Sequence, residues 1–527
     1  MLPVKRAKLL PMESPLLNLS PDVGAQVLAR LDFKSACRAA LASREMRAWA
    51  WAMSGWTTPP QPARVESHVW SPTLEELRSD GLVDVDAAEL AERPWMAAHP
   101  AVRLLLNNPP GAPVGAVHTA WVSSPVPGFC VPSVTRVWLQ TDQAALQSFP
   151  NARSLTLVCS SDAPVVFPPN TREVRVAPPC GASGVCSIAP HPGITELRLA
   201  NCPRLKALPE FLSLTTLELA ACWTLATLPA LPCITALTLT HCPALRALPD
   251  LPCATALFVD KTDRLAEIGS LPRATRVVLR RCAALAFLPA QLPCAEVFEV
   301  QGDTRLAAVP ALPCARQVTM CGWAPLTCLP DMPCATKLWV DHGSERHCWS
   351  RLVSIGQLPC AKTVDLRCCH ALPSLPALPE ATRLDLRQCY ALASLPASLP
   401  LVQALTLHQP HALTSLPASL PSLVVLNVVG ASELTALPPL RGKCQLYLED
   451  NHALTSIPPL PNAVALTVRH CQGLTALLAA PMLGVLNVRD CPELTTLPPE
   501  LPCHLDVQRC PKITSRPDLP RATTWSR

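Results

Sequence analysis

The sequence predicts a repeat solenoid with a parallel β-sheet along one side, on three observations: a sustained period, an alternating apolar core in every period, and a proline pair after it. The first apolar residue of each Leu-x-Leu core falls at Leu197, Leu217, Leu237, Leu257 and Val277, steps of 20 residues. The series runs on through Phe298, Val318, Leu338, Val364, Leu384, Leu405, Leu426, Leu446, Leu466, Leu486 and Leu505, with weaker units at Val137, Leu155 and Val174. Self-similarity held over most of a chain is the signature of stacked repeats.

Each element follows from its residues. In Leu-x-Leu the two leucines point to one side and the x positions to the other, as in a short β-strand. A lone strand of this kind buries nothing, so units must stack and pair. A third apolar position (Leu205, Leu225, Leu245) and a fourth (Leu208, Leu228, Leu248) close each coil. Pro-x-Leu-Pro follows, as in Pro229-Ala230-Leu231-Pro232, and proline neither continues a helix nor donates to a ladder. The return side is therefore expected to be extended and polyproline-like, with little room for helix.

Composition agrees. Hydrophobic residues make up 49% while aromatics are only 4%, so leucine and alanine carry the core, and the 61 prolines sit at fixed repeat positions. A net charge of +5, with no dense Lys/Arg block, argues against nucleic acid as a partner. No secretory signal and no membrane span are expected: the start is basic without an apolar run, and the uncharged stretch 400–432 is broken by prolines, His408 and His411. The 26 cysteines recur mostly at two repeat positions and form no Cys-x-x-Cys pair, so reduced thiols in the cytoplasm are expected.

The motif L-x-x-L-x-L-x-x-N/C-x-x-L-x-x-L-P resembles the leucine-rich repeat family over roughly residues 133–520. The resemblance implies a horseshoe with the parallel sheet on its concave face, here spanning 131–521 in about 19 units. The Leu-Pro-x-Leu-Pro ending is most similar to bacterial effector repeats of the IpaH and YopM type. Cysteine at the N/C position (Cys202, Cys222, Cys242, Cys282, Cys369, Cys389, Cys471, Cys491) resembles instead the cysteine-containing class common in F-box proteins, where this residue faces inward and satisfies the turn. A second set, Cys233, Cys253, Cys294, Cys314, Cys334, Cys360 and Cys503, follows Leu-Pro or Met-Pro. Coils stack about 5 Å apart, near disulfide reach, so oxidation of this set could cross-link neighbours.

Residues 15–56 lack the period. Ser20 suits an N-cap and Pro21 the first helical position, and Val23, Val27, Leu28 and Leu31 share one helical face. With a second helix expected over about 34–51, this stretch resembles the F-box, although Leu19-Ser20-Pro21-Asp22 departs from its Leu-Pro pair. The resemblance implies that Leu19, Pro21, Val27, Leu28 and Leu31 contact a Skp-type adaptor of a cullin complex. A plain helical cap shielding the first coil is the alternative. Residues 57–130 read as a linker or N-terminal cap.

The outward x positions offer a binding surface for a protein target. Arg280, Arg367, Arg387, His408, Arg469 and Arg489 follow the second apolar residue, and Asp365 and Asp385 lie between the two, as do Phe258, Trp339 and Tyr447. Arg and aromatic side chains are common anchors of interfaces; solvated strand positions with mutual ion pairs are the alternative. Stacking should set Asp365 beside Asp385 and Arg367 beside Arg387 as two charged rails. The long unit 335–360 carries an insertion whose His342, His347 and Cys348, with Cys368, Cys369 and His370, match no closed zinc spacing, so no metal or cofactor is expected. No phosphate-binding glycine motif and no nucleophile–base set appears, and the IpaH-type ligase domain has no counterpart before Arg527. The expected function is a binding scaffold and not an enzyme: an F-box-type substrate receptor, or an effector scaffold without a ubiquitin link. If its source is a bacterial effector or a virus, the host cytoplasm is where it would act.

Overall fold

A computed structural model of the 527-residue chain describes strands at 83–86, 102–106 and 119–122, then residues 134–140, 146, 149–158, 162–178, 184–322, 325–343, 351–499, 504–513 and 524–526. The helical module expected over 15–56 lies outside them, with its Leu19, Pro21, Val27, Leu28 and Leu31. The described residues contain no α-helix. The chain divides into two units, 1–205 and 206–527.

In the first unit, strands pair in parallel in chain order from Val83–Asp86 through Val102–Leu106 and Thr119–Val122 to Glu196–Ala200. The ladder thus reaches into 57–130, the stretch expected to be linker or cap. Leu155, Leu157, Val174, Val176, Leu197 and Leu199 are buried, as are Phe149 and Phe167.

The second unit is a parallel β-solenoid of leucine-rich coils. Five-residue strands follow one another from Thr216–Ala220 onward, each paired in register with the next coil, as Leu237 with Leu257 and Leu257 with Val277. Every Leu-x-Leu core expected from Val137 to Leu505 falls on a strand of one unit or the other. The alternation is as read: in Ala236–Thr240 the two leucines are buried and the flanking residues half-exposed. Leu237, Leu239, Leu245, Leu248 and Leu251 of one coil are all buried. Full burial of such a side chain is worth roughly 1.5–3 kcal/mol, and stacking supplies it only when a neighbouring coil is present.

The return side is more structured than a polyproline run. Short second ladders join Ala247–Leu248 to Glu267–Ile268, Cys328–Leu329 to Ser354–Ile355, and Ser456–Ile457 to Ala476–Leu477. The second proline of Pro-x-Leu-Pro then sits in a tight turn: the Ala254 N–H donates to the Leu251 carbonyl at 3.2 Å, with Pro252 and Cys253 between. Its fixed φ suits the second position of such a turn. Threonine hydroxyls clamp the coils beside it, Thr255 donating to the Thr235 carbonyl at 3.0 Å and Thr275 to Thr255 at 3.1 Å.

Two features end the five-residue strands, with Lys337–Asp341 an exception. The residue after such a strand adopts left-handed backbone, as His241 (φ 52°) and Gln409 (φ 57°), with glycine in that place at Gly302, Gly322 and Gly430. Its N–H extends the ladder, His241 donating to the Asp260 carbonyl at 3.0 Å. The next residue is the N/C position. Cys282, Cys471 and Cys491 there donate Sγ–H to the carbonyl two residues back, and Asn451 makes the fuller version, donating to Val428 and accepting from the Ala431 N–H, both at 2.9 Å. Burial pushes the Cys282 thiol up to about 12 and Cys471 to about 11, as expected for inward structural cysteines.

Candidate functional site

The outward face of the second unit's sheet is the candidate surface, and its geometry is set by the register. Asp365 lies beside Asp385 and Arg367 beside Arg387, as the repeat alignment predicts. The two rails, however, cross-link within each strand. Arg367 donates from Nε and Nη2 to the two carboxylate oxygens of Asp365 at 2.9 and 3.0 Å, and Arg387 does the same to Asp385 at 2.9 and 3.0 Å. Side chains two apart on a strand share a face, so each rung neutralises itself. The Asp carboxylates hold both guanidinium pKa values above their ordinary level. Asp385 is only 2% exposed beneath its arginines, and Arg383 reaches it from the strand start at 3.9 Å.

The three aromatics differ. Phe258 and Tyr447, expected to project into solvent, are half-buried. The Arg280 guanidinium lies 5.7 Å from the Phe258 ring centre and is ion-paired with Glu299 at 2.6 Å. Arg469 lies 5.6 Å from the Tyr447 ring centre, and the Tyr447 hydroxyl donates to Glu449 at 2.5 Å. That hydrogen bond to a carboxylate is the main cause raising the Tyr447 pKa. Each pair joins neighbouring coils, and stacking of a cation on a ring stabilises both. Trp339, by contrast, is exposed, between Thr319 and Asp365 in the register.

Around Trp339 the surface is mixed. Lys337 is exposed two residues before it, and Asp341 two residues after it accepts the Gly343 N–H at 2.9 Å at the start of the insertion. His342 is 3% exposed, and burial is the main cause that lowers its pKa. Cys321, next to Asp341 in the register, is pushed up to about 12 by burial and then by the carboxylates of Asp341 and Glu299.

The remaining expected residues lie apart from this cluster. His408 is half-buried beside Arg387, and Arg489 pairs with Asp490 at 3.2 Å. The residues that sequence reasoning missed are the partners. Besides Glu299 and Glu449, Asp260 is buried and bound by Arg281 at 2.9 and 2.7 Å. The signal was present in the repeat alignment for Asp260 and Glu449, which share a column with Arg280 and Arg469 of adjacent coils, but not for Glu299, which aligns with Val278 and Thr319.

Of the residues considered for zinc, His347 and Cys348 lie outside the described residues. Cys369 is fully buried, Cys368 donates to Gln388, and His370 stacks on Tyr390 with ring centres 4.6 Å apart. Among the described residues no three metal-ligating side chains converge, and no helix is long and apolar enough to cross a membrane.

No protein-family model matches the chain, and no curated protein matches it. Among solved structures the chain is similar to one described as "the crystal structure of CroV588 a novel circular LRR protein structure". The identity is 10%, over 84% of this chain and 97% of that one, with a TM-score of 0.15. A likeness at that score carries no argument, and the leucine-rich solenoid stands on the coil geometry above.

Proposed function

We propose that the chain is a protein-interaction scaffold that holds a protein target on the sheet face of its second unit, centred on Trp339. The supporting observation is an exposed tryptophan on the ladder, with Arg367 one coil on and Arg387 two coils on, each already fixed on its own carboxylate. Anchors of this kind bind well because little side-chain freedom is left to lose and few charges must be newly desolvated. The finer reading is an F-box-type receptor: residues 15–56 dock a Skp-type adaptor and cullin complex while the solenoid presents the target for ubiquitination. It rests on the sequence resemblance of that segment. Among the described residues no constellation favours an enzyme, and their free thiols suit the cytoplasm.

Affinity capture with the full-length chain and two variants separates these readings. Trp339→Arg should lose a protein retained by the parent and by Leu28→Asp/Leu31→Asp. The double variant alone should lose the adaptor and cullin. Unchanged capture by Trp339→Arg would sink the sheet-face site. Absence of adaptor and cullin from the parent would leave an effector scaffold with no ubiquitin link.

A further inference from the structure

Cys294, Cys314, Cys334 and Cys360 occupy one turn position in four consecutive coils of the second unit, each after Leu-Pro or Met-Pro. The first three are exposed and Cys360 half-exposed, and all are free. The same position holds Arg273, Glu380, Leu401, Ser422, Asn462 and Met482 elsewhere, so the turn does not require cysteine. At the N/C position, in contrast, cysteine has a hydrogen-bonding task.

Backbone bonds on both sides hold these turns in register. Arg316 N–H donates to Glu296 at 2.8 Å, Thr336 to Arg316 at 2.9 Å and Lys362 to Thr336 at 2.9 Å, while Leu292 and Met332 donate to Ala311 and Gln357 before the cysteines. The 26-residue step from Cys334 to Cys360 therefore keeps the stacking.

We propose that this column is a thiolate ladder for a soft monovalent d10 cation of the Cu(I) class, bridging cysteines of adjacent coils. Side chains stacked in register repeat at about 4.8 Å, whereas a disulfide needs Cβ atoms about 3.8 Å apart. With the zinc–thiolate length of about 2.3 Å as a guide, two metal–thiolate bonds span about 4.6 Å in a linear S–M–S unit, close to the coil spacing. Thiolates select Cu(I) over harder cations. Two thiols and one Cu(I) give an anionic S–Cu–S unit, and both protons go to solvent. Arg316 and Lys362, exposed two residues past Cys314 and Cys360, supply positive charge nearby.

The test is competition for Cu(I) between a chromophoric chelator and the reduced full-length protein under argon. The quadruple variant Cys294→Ser/Cys314→Ser/Cys334→Ser/Cys360→Ser keeps the fold, because Ser422 already occupies this turn. It should bind about two fewer Cu(I) than the parent. Cys314→Ser/Cys334→Ser should lose as much as the quadruple, since Cys294 and Cys360 are then three coils apart. Equal uptake by the parent and either variant would overturn the ladder. So would a Cys294–Cys314 disulfide formed in high yield by oxidised glutathione and found by peptide mapping.

Discussion

Arg387 closes a two-point ion pair on Asp385, two residues before it on the same strand, at 2.9 and 3.0 Å, and in doing so covers a carboxylate that is 2% exposed. Removing Arg387 leaves the Asp385 charge with only the longer contact to Arg383 at 3.9 Å. Because Arg387 itself is partly exposed, the loss is smaller than in a fully buried pair. Arg387→Ala should destabilise the solenoid by about 1–2 kcal/mol in urea unfolding. Adding Asp385→Asn should restore part of it, since no buried charge remains. Arg489→Ala, whose partner Asp490 is less buried and keeps His470 and Arg509 beside it, should change stability by less than about 0.5 kcal/mol.

Gly322 tests the left-handed position. Its φ is 106°, and a Cβ there would meet the Gly302 backbone, with the carbonyl carbon at 2.5 Å. These backbone atoms cannot swing aside as a side chain would. Gly322→Ala should lower the denaturation midpoint by the equivalent of about 2–4 kcal/mol. Gly343, at φ 77° with nothing within 4 Å of the same point among the described residues, carries chiefly the backbone strain. Its alanine variant should lose about 1 kcal/mol.

The buried cysteines give a pH signature. The Cys282 and Cys471 thiols are raised from 9.0 to about 12 and about 11 by burial, so the folded state holds these protons more tightly than the unfolded chain. Stability from this source is fully present below about pH 9 and is lost as pH rises from there towards 11–12. Each thiol contributes a slope of up to about 1.4 kcal/mol per pH unit in that window. Urea midpoints that fall between pH 9 and 11, with a smaller fall in Cys282→Thr, would match; Thr262 shows that the position accepts threonine. A flat profile over that window would refute it.

The coil itself was legible because its causes are local. Leu237 and Leu239 alternate with polar neighbours, and the cysteine column marks the strand ends. The left-handed residue was not, because its occupants (Asn201, Ala221, His241, Lys261, Arg281) share no side-chain property and only the later glycines hint at it. The face was half-legible. Alternation placed Asp365, Asp385, Phe258 and Tyr447 outward, but not the arginine that covers each of the four. That depends on pairs such as Arg469–Tyr447, 22 residues apart and adjacent only once the coils stack.

Asn451 shows how much the N/C position contributes when it is fully bonded. It is 0% exposed, and its amide joins the Val428 carbonyl to the Ala431 N–H of the preceding coil. Asn451→Ala would strand both backbone groups away from water, at a cost of about 2–4 kcal/mol. Asn451→Cys should recover part of the loss, because Cys471 in the next coil donates to its own strand end at 3.3 Å. It cannot recover all of it, since a thiol bonds the Ala431 N–H only weakly. Amide hydrogen exchange gives the sharper measurement: protection at Ala431 should fall strongly in both variants. An Ala variant as stable as the parent, with Ala431 still protected, would show that the asparagine only fills space.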